Sequence, residues 1–292
     1  MKIFKKIISI SLALAMVLGL AACGAQEEPD DGSIKTVDKG KLTVSMSPDF
    51  IPMVFVDSSK SGMEQFAGFD VELAKYLAEG LELELVINPM DLSSAQEAVD
   101  AKTADLSISG YGWTEGRFQN FLLSDPYYAG DGETAQSIIC LAEKEGSLKE
   151  ADSFAGLKIG VQSGSLQETL AKTQLPESAE IQGFDSIAAA VEALKGGSLD
   201  GVCVPHGTGV AMMLKDDALA FTGFDFDVSE QVQGNIILLN KKSDRLLEAV
   251  NQLLAAAYEQ DLYSQWYEAA RELALSDSAK EQSYDAKGKA VN

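Results

Sequence analysis

The chain has little of several things that chemistry commonly needs. It holds one histidine, His206, three cysteines and two tryptophans in 292 residues, and 23 lysines and arginines stand against 45 aspartates and glutamates. A single histidine beside scattered cysteines leaves a zinc or haem site without a ligand set, so no metal and no cofactor are expected. The formal net charge of -22 argues against nucleic acid, phosphates or an anionic bilayer as a broad docking surface. The Gly-x-x-x-x-Gly-Lys-Ser/Thr phosphate loop, Gly-x-Ser-x-Gly and His-Glu-x-x-His are all missing, which leaves hydrolase and kinase readings weak. "GYGWTEG", beginning at Gly110, lacks the third glycine of a nucleotide loop at the right spacing. His206 follows a buried-looking strand, where a lone histidine is a structural hydrogen bonder more often than a general base. In so acidic a chain, Arg117, standing behind "SGYGWTEG", is locally informative.

What is present begins with an export signal. Lys2, Lys5 and Lys6 form a basic front, and Ile7 to Leu20 is an apolar run of secretory length, short for a membrane-spanning helix. Leu20-Ala21-Ala22-Cys23 resembles the bacterial lipobox, which implies cleavage before Cys23 and its acylation. An ordinary signal peptide whose site happens to precede a cysteine is the other reading. Residues 1–22 are thus expected as a lipoprotein signal peptide, Cys23 as the lipidated residue, and the mature chain as extracytoplasmic and anchored to the cell membrane. Losing residues 1–22 removes three lysines and no acids, moving the net charge from -22 to -25. Cys140 in "SIICLA" and Cys203 in "GVCVP" read as small buried residues, with a bridge between them left open.

Residues 23–40 are polar, acidic and aperiodic, as a flexible tether would be, and the polar tail 276–292 is expected to fray. Between them strand and helix patterns alternate. "KLTVSMS", "LELELVI" and "DLSIS" read as strands, "GFDVELAKYLAEGL" as a helix with Asp70 near its start, and Ser93 or Ser94 as the cap of a helix through Lys102. Thr114 or its neighbour opens a short helix carrying Arg117. A second set follows: "LKIGVQ" as strand, a helix from Leu166, "AEIQGF" as strand, a helix from Ser186 to Lys195, and "DGVCV" as strand. "GNIILLN" returns to strand, and two helices end the periodic region. Two β-α-β sets imply an α/β protein of two mostly parallel-sheet lobes with helices on both faces, its ligand site at the carboxyl ends of strands. From the residues alone, Arg117 either pairs with Glu115 or Asp125 at the surface or forks onto a carboxylate, aided by a helix start at Thr114.

"GFDVELAKYLA" (68–78), "PMDLSSAQEAVDAKTADLSISG" (89–110), "TEGR" (114–117), "FLLSDPYY" (121–128) and "GLKIGVQSGSLQETL" (156–170) occur in an order and spacing that resemble the bacterial extracellular solute-binding proteins, family 3, of polar amino-acid ABC importers. The resemblance runs from about Leu42 to Tyr267. It implies the two-lobed periplasmic-binding-protein, or Venus-flytrap, fold: lobe 1 from 41–132 plus 235–275, lobe 2 from 133–234, with crossing hinge strands. It also implies that Arg117 grips a ligand carboxylate, with Thr114, Gly112 and Gly110 beside it. Phe50 either stacks on the ligand or packs the lobe, and Leu92 either lines the site or the core. Gln162, Ser165 and Gln167 match the loop and helix start that close over the ligand, or else serve as turn and cap. Partners implied are an amino acid or related small carboxylate, an ABC permease and, through the lipid, the membrane; a monomer is expected.

Three positions depart from the family, one of them Gly112, which replaces a residue that often carries a hydroxyl. Where many members place an acid for the ligand's ammonium, after "LDGVCV", this chain has Pro205, and three residues before Phe50, where a second acid is frequent, it has Ser47. Either the ligand lacks a free α-amine, or another group, such as Glu230 or the faces of Phe50 and Tyr111, supplies the attraction. Competing readings are a dehydratase-like enzyme using His206, Glu230 or Asp225 as acid, and a ligand sensor.

Overall fold

A computed structural model of the chain describes residues 33–128, 134–230 and 232–291. The expected signal peptide 1–22, Cys23, the expected tether up to residue 32 and the expected lobe boundary at 132/133 lie outside the described residues. The elements below belong to one compact unit, Lys35–Asn292.

In chain order, β1 (Lys41–Met46) leads to the short strands β2 (Phe55–Asp57) and β3 (Phe66–Ala67), then α1 (Phe69–Gly80), β4 (Glu84–Pro89), α2 (Leu92–Asp100), β5 (Leu106–Tyr111), α3 (Glu115–Asn120) and β6 (Leu122–Leu123). The second lobe holds β7 (Gln136–Leu141), β8 (Lys158–Gln162), α4 (Leu166–Gln174), β9 (Glu180–Phe184), α5 (Ile187–Lys195), β10 (Gly201–Pro205), α6 (His206–Lys215) and β11 (Leu219–Asp225). The chain then returns to the first lobe with β12 (Ile236–Leu239), α7 (Asp244–Glu259), α8 (Leu262–Ala274) and β13 (Ala279–Lys280).

Each lobe is built on a mixed sheet, β4-β1-β5-β12-β6 in the first and β11-β7-β10-β8-β9 in the second. The β-α-β sets supply three parallel strands to each sheet, β4-β1-β5 and β10-β8-β9; β12 and β7 run antiparallel to them, and the edge strands β6 and β11 pair antiparallel with β12 and β7 in turn. Alternation along the strands feeds two core layers. Ile138 and Cys203 face α4 through Leu166 and Leu170, while Ile139, Val202 and Val204 face α5 through Ile187, Ala190 and Leu194. A strand buried on both faces is apolar at successive positions, which is why "GVCV" and "SIIC" show no polar alternation.

Three local expectations change. The cap of α2 is Asp91, accepting from the Ser94 amide at 2.9 Å, and the helix stops at Asp100 rather than Lys102. Its carboxylate is as good a cap as a hydroxyl, and it directly precedes Leu92, the first residue of the buried stripe Leu92, Ala95, Ala98, Val99. The segment from Ser276 is docked rather than frayed: β13 pairs with β2, the Gln282 amide donates to the Pro48 carbonyl at 2.9 Å, and Tyr284 is buried against Phe66. Backbone pairing plus one aromatic holds it, and neither registers in a count of apolar residues. Cys140 and Cys203 are buried, free thiols, and burial pushes the Cys203 thiol well up.

Candidate ligand-binding cleft

The carboxyl ends of β1 and β5 from one lobe meet those of β8 and β10 from the other across a cleft with about 610 Å³ of empty space, mouth included. Strand carboxyl ends are the position α/β sheets favour for ligands.

Arg117 is placed by its own helix start. Thr114 Oγ1 accepts from the Arg117 amide at 3.2 Å, fixing the first turn of α3. The residue is 4 % exposed. Its Nε donates to Gln96 Oε1 at 3.0 Å, its Nη2 to the Gly164 carbonyl of the other lobe at 2.7 Å and its Nη1 to the Gly112 carbonyl. It also lies 4.7 Å over the Tyr111 ring. Among the described residues no acid pairs with it; Glu115 instead accepts from Gln119. Burial lowers its pKa to about 10, with Tyr111 pulling the other way, so it stays cationic at neutral pH. A buried cation whose partners are carbonyls and an amide is suited to an incoming anion.

The acid in the cleft is Asp49, 2 % exposed. Oδ1 accepts from Ser47 Oγ at 2.8 Å and Oδ2 from Gln162 Nε2 of the second lobe at 2.9 Å. Burial first of all pushes its pKa up to about 8, against the Ser47 hydrogen bond and with the help of Glu281 and Asp91. Asp49 was not singled out in the sequence, where acids were sought at positions 47 and 205; a carboxylate immediately before Phe50, just past a strand end, was the available signal.

Asp70 sits in α1 but does not cap it. It reaches β5, accepting from the Gly110 amide at 2.7 Å and from Tyr127 at 2.8 Å. Its carboxyl is wholly buried, which raises its pKa to about 7. Gly110 is thereby held at a φ of 56°, where a Cβ would run into the Phe50 ring. Gly110→Ala is therefore expected to displace Phe50 and add left-handed strain of about 1–2 kcal/mol. Binding should weaken by about tenfold or more and the Tm should fall, whereas Gly116→Ala, whose Cβ meets nothing within 4 Å, should leave both unchanged. Equal behaviour of the two variants in calorimetry would remove Gly110 from the site.

Of the residues expected from sequence, Arg117, Gly112, Gly110, Phe50, Leu92, Gln162, Ser165, Gln167 and Pro205 all line the cleft. Thr114 does not; it stands behind Arg117 as its cap. Ser165 lines the cleft and also caps α4, accepting from the Glu168 amide at 3.0 Å. Gln167 donates to Gln136 Oε1 at 2.6 Å. Besides Asp49, sequence reasoning missed Ser109, Gln136 and Asn235, which also line it. The acids considered for an enzyme are elsewhere. His206 Nδ1 is 2.9 Å from Ser137 Oγ and its ring stacks on Phe221, Asp225 accepts from the same Ser137, and Glu230 is exposed.

Two α/β lobes whose strand ends close over a polar cleft, with hydrogen bonds between the lobes, define a binding protein of the periplasmic-binding-protein fold. The chain belongs to the bacterial extracellular solute-binding proteins, family 3, whose model matches residues 42–269. Among its relatives, the arginine-binding extracellular protein ArtP of Bacillus subtilis is 27 % identical over 90 % of this chain and 98 % of its own. The L-cystine-binding protein TcyJ of Escherichia coli is 28 % identical over 88 % of this chain and 92 % of its own. The crystal structure of an amino acid ABC transporter substrate-binding protein, AbpA, from Streptococcus pneumoniae, bound to L-arginine, superposes with a TM-score of 0.73 at 29 % identity, covering 82 % of this chain and 98 % of that one.

Proposed function

We propose that this chain is the substrate-binding component of an ABC importer and captures an amino acid or related small carboxylate between its lobes, without covalent chemistry. The observation that carries this reading is Arg117: a buried guanidinium at the base of the cleft, bonded to both lobes and paired with no acid among the described residues. Lobe closure would hold the ligand between Arg117 and the Gln162 to Gln167 segment, and the closed form would be what a permease recognises. Support comes from relatives named for arginine, cystine and histidine. Export through residues 1–22, anchoring through an acylated Cys23 and action as a monomer complete the proposal.

The test is isothermal titration of the purified protein from residue 24 onward against the twenty amino acids and a set of small organic acids. One amino acid should bind with one-to-one stoichiometry and raise the Tm. If no amino acid or organic acid produces heat or a Tm shift, the reading is wrong.

A further inference from the structure

Among the described residues the cleft is lined by one base, Arg117, and one acid, Asp49. They do not form an ion pair with each other. Each is bonded across the lobes, Arg117 to Gly164 and Asp49 to Gln162. Of the other groups considered for holding a cation, Glu230 is exposed and the Tyr111 face is covered by the Arg117 guanidinium, which leaves the Phe50 ring, a lining residue of the cleft that carries no formal charge. Pro205 puts no charge on the second lobe's wall. Ser47 donates to Asp49 at 2.8 Å, so a hydroxyl stands where a second acid would repel that carboxylate. The charged side chains acting most strongly on Asp49 are themselves carboxylates, Glu281 from the C-terminal segment and Asp91 at the start of α2.

We infer that Asp49 holds the positive group of the ligand, so that this cleft takes a zwitterion or cation-bearing carboxylate and reads its cation from the first lobe rather than from the end of β10. The inference rests on the cleft being the amino-acid site proposed above. A carboxylate accepts up to four hydrogen bonds, so the two it already receives leave room for an ammonium or guanidinium donor. Capture then has a balanced proton cost. The Asp49 carboxyl, enclosed and flanked by Glu281 and Asp91, is held in its acid form at neutral pH; on meeting the cation it ionises, the new contact is carboxylate to cation, and the proton leaves to solvent. Glu281, itself pushed up to about 7 by burial and drawn down by Lys215, modulates this release but does not line the cleft.

The test uses L-arginine, L-histidine, L-glutamine and L-cystine on the wild type, Asp49→Asn and Arg117→Ala. Calorimetry is run at pH 7 in phosphate and in imidazole buffers, whose ionisation enthalpies differ. Wild type should release close to one proton per ligand bound, and its affinity should rise between pH 6 and pH 9. Asp49→Asn should abolish the release and weaken binding about a hundredfold, since truncating one partner of a buried charge pair has an effect of that order, while its Tm stays at or above that of wild type. A merely structural role would lower the Tm and leave the proton count alone. Undiminished binding by Asp49→Asn, with Arg117→Ala inactive, overturns the inference and leaves the importer reading standing. Should Asp49→Asn fail to fold, a wild type that releases no proton at pH 7 overturns it as well. Absence of binding by all four amino acids overturns both.

Discussion

Arg117→Ala should weaken ligand binding by about a thousandfold while the protein keeps its fold. The guanidinium gives a carboxylate two parallel donors in a water-poor cleft, and removing one partner of such a pair costs several kcal/mol. Arg117→Lys should lose nearly as much, because an ammonium is a point charge that cannot keep the bonds to Gln96, Gly112 and Gly164 and still present a fork to the ligand. Stability of the variants should change little. The buried cation already bears a desolvation penalty that no acid offsets, so its removal relieves as much as the three lost hydrogen bonds contributed. Calorimetry and thermal unfolding together check this; an Arg117→Ala protein that binds within tenfold of wild type would remove the arginine from the site.

The second large effect is on stability against pH. Asp49, Asp70 and Glu281 have folded-state pKa values raised to about 8, 7 and 7, chiefly by burial; Glu281 is half-buried as a residue but its carboxyl is enclosed. Each is still protonated in the folded chain at pH values where the unfolded chain has released the proton. The folded state thus binds more protons between about pH 4 and pH 8, and stability must fall as pH rises through that window. Glu168, Asp200 and Asp216 act oppositely: their carboxyls are held below the usual range, so their contribution is present above about pH 4 and lost as acid protonates them. Stability without added ligand should therefore peak near pH 5 and decline toward pH 8 by several kcal/mol, because each tenfold loss of acidity in a buried carboxyl is worth about 1.4 kcal/mol. In a chain of this size that corresponds to a Tm lower by about 10 °C. Asp49→Asn and Asp70→Asn should each flatten the decline. A Tm that rises steadily from pH 5 to pH 8 would show that these carboxyls ionise in the folded protein as easily as in water.

The legible and illegible parts of this protein divide by the range of the interaction. Strand and helix runs such as "KLTVSMS", "LKIGVQ" and the α5 pattern carry their periodicity in contiguous residues, and the structure has them. Thr114 as the cap that sets Arg117 was equally local. Asp70 looked like a helix-start acid because that is its position in the chain, but its work is done across space, on Gly110 and Tyr127. Asp49 escaped notice for a similar reason: its burial depends on Gln162, on Glu281 and on a C-terminal segment whose composition reads as tail. α6 and β11 were also missed, since glycines interrupt "HGTGVAMMLK" and a bulge breaks the register of "LAFTGFD".

The Gly164 carbonyl takes hydrogen bonds from both Arg117 and Gln96, and Gly112 takes another from the same guanidinium. With Gln96 they engage three of the guanidinium's five N–H donors, which leaves two for a ligand. The chain's own oxygens thus aim the arginine before anything arrives. Selectivity follows: a carboxylate, which can accept both remaining donors at once, fits what is left better than a single amide oxygen does.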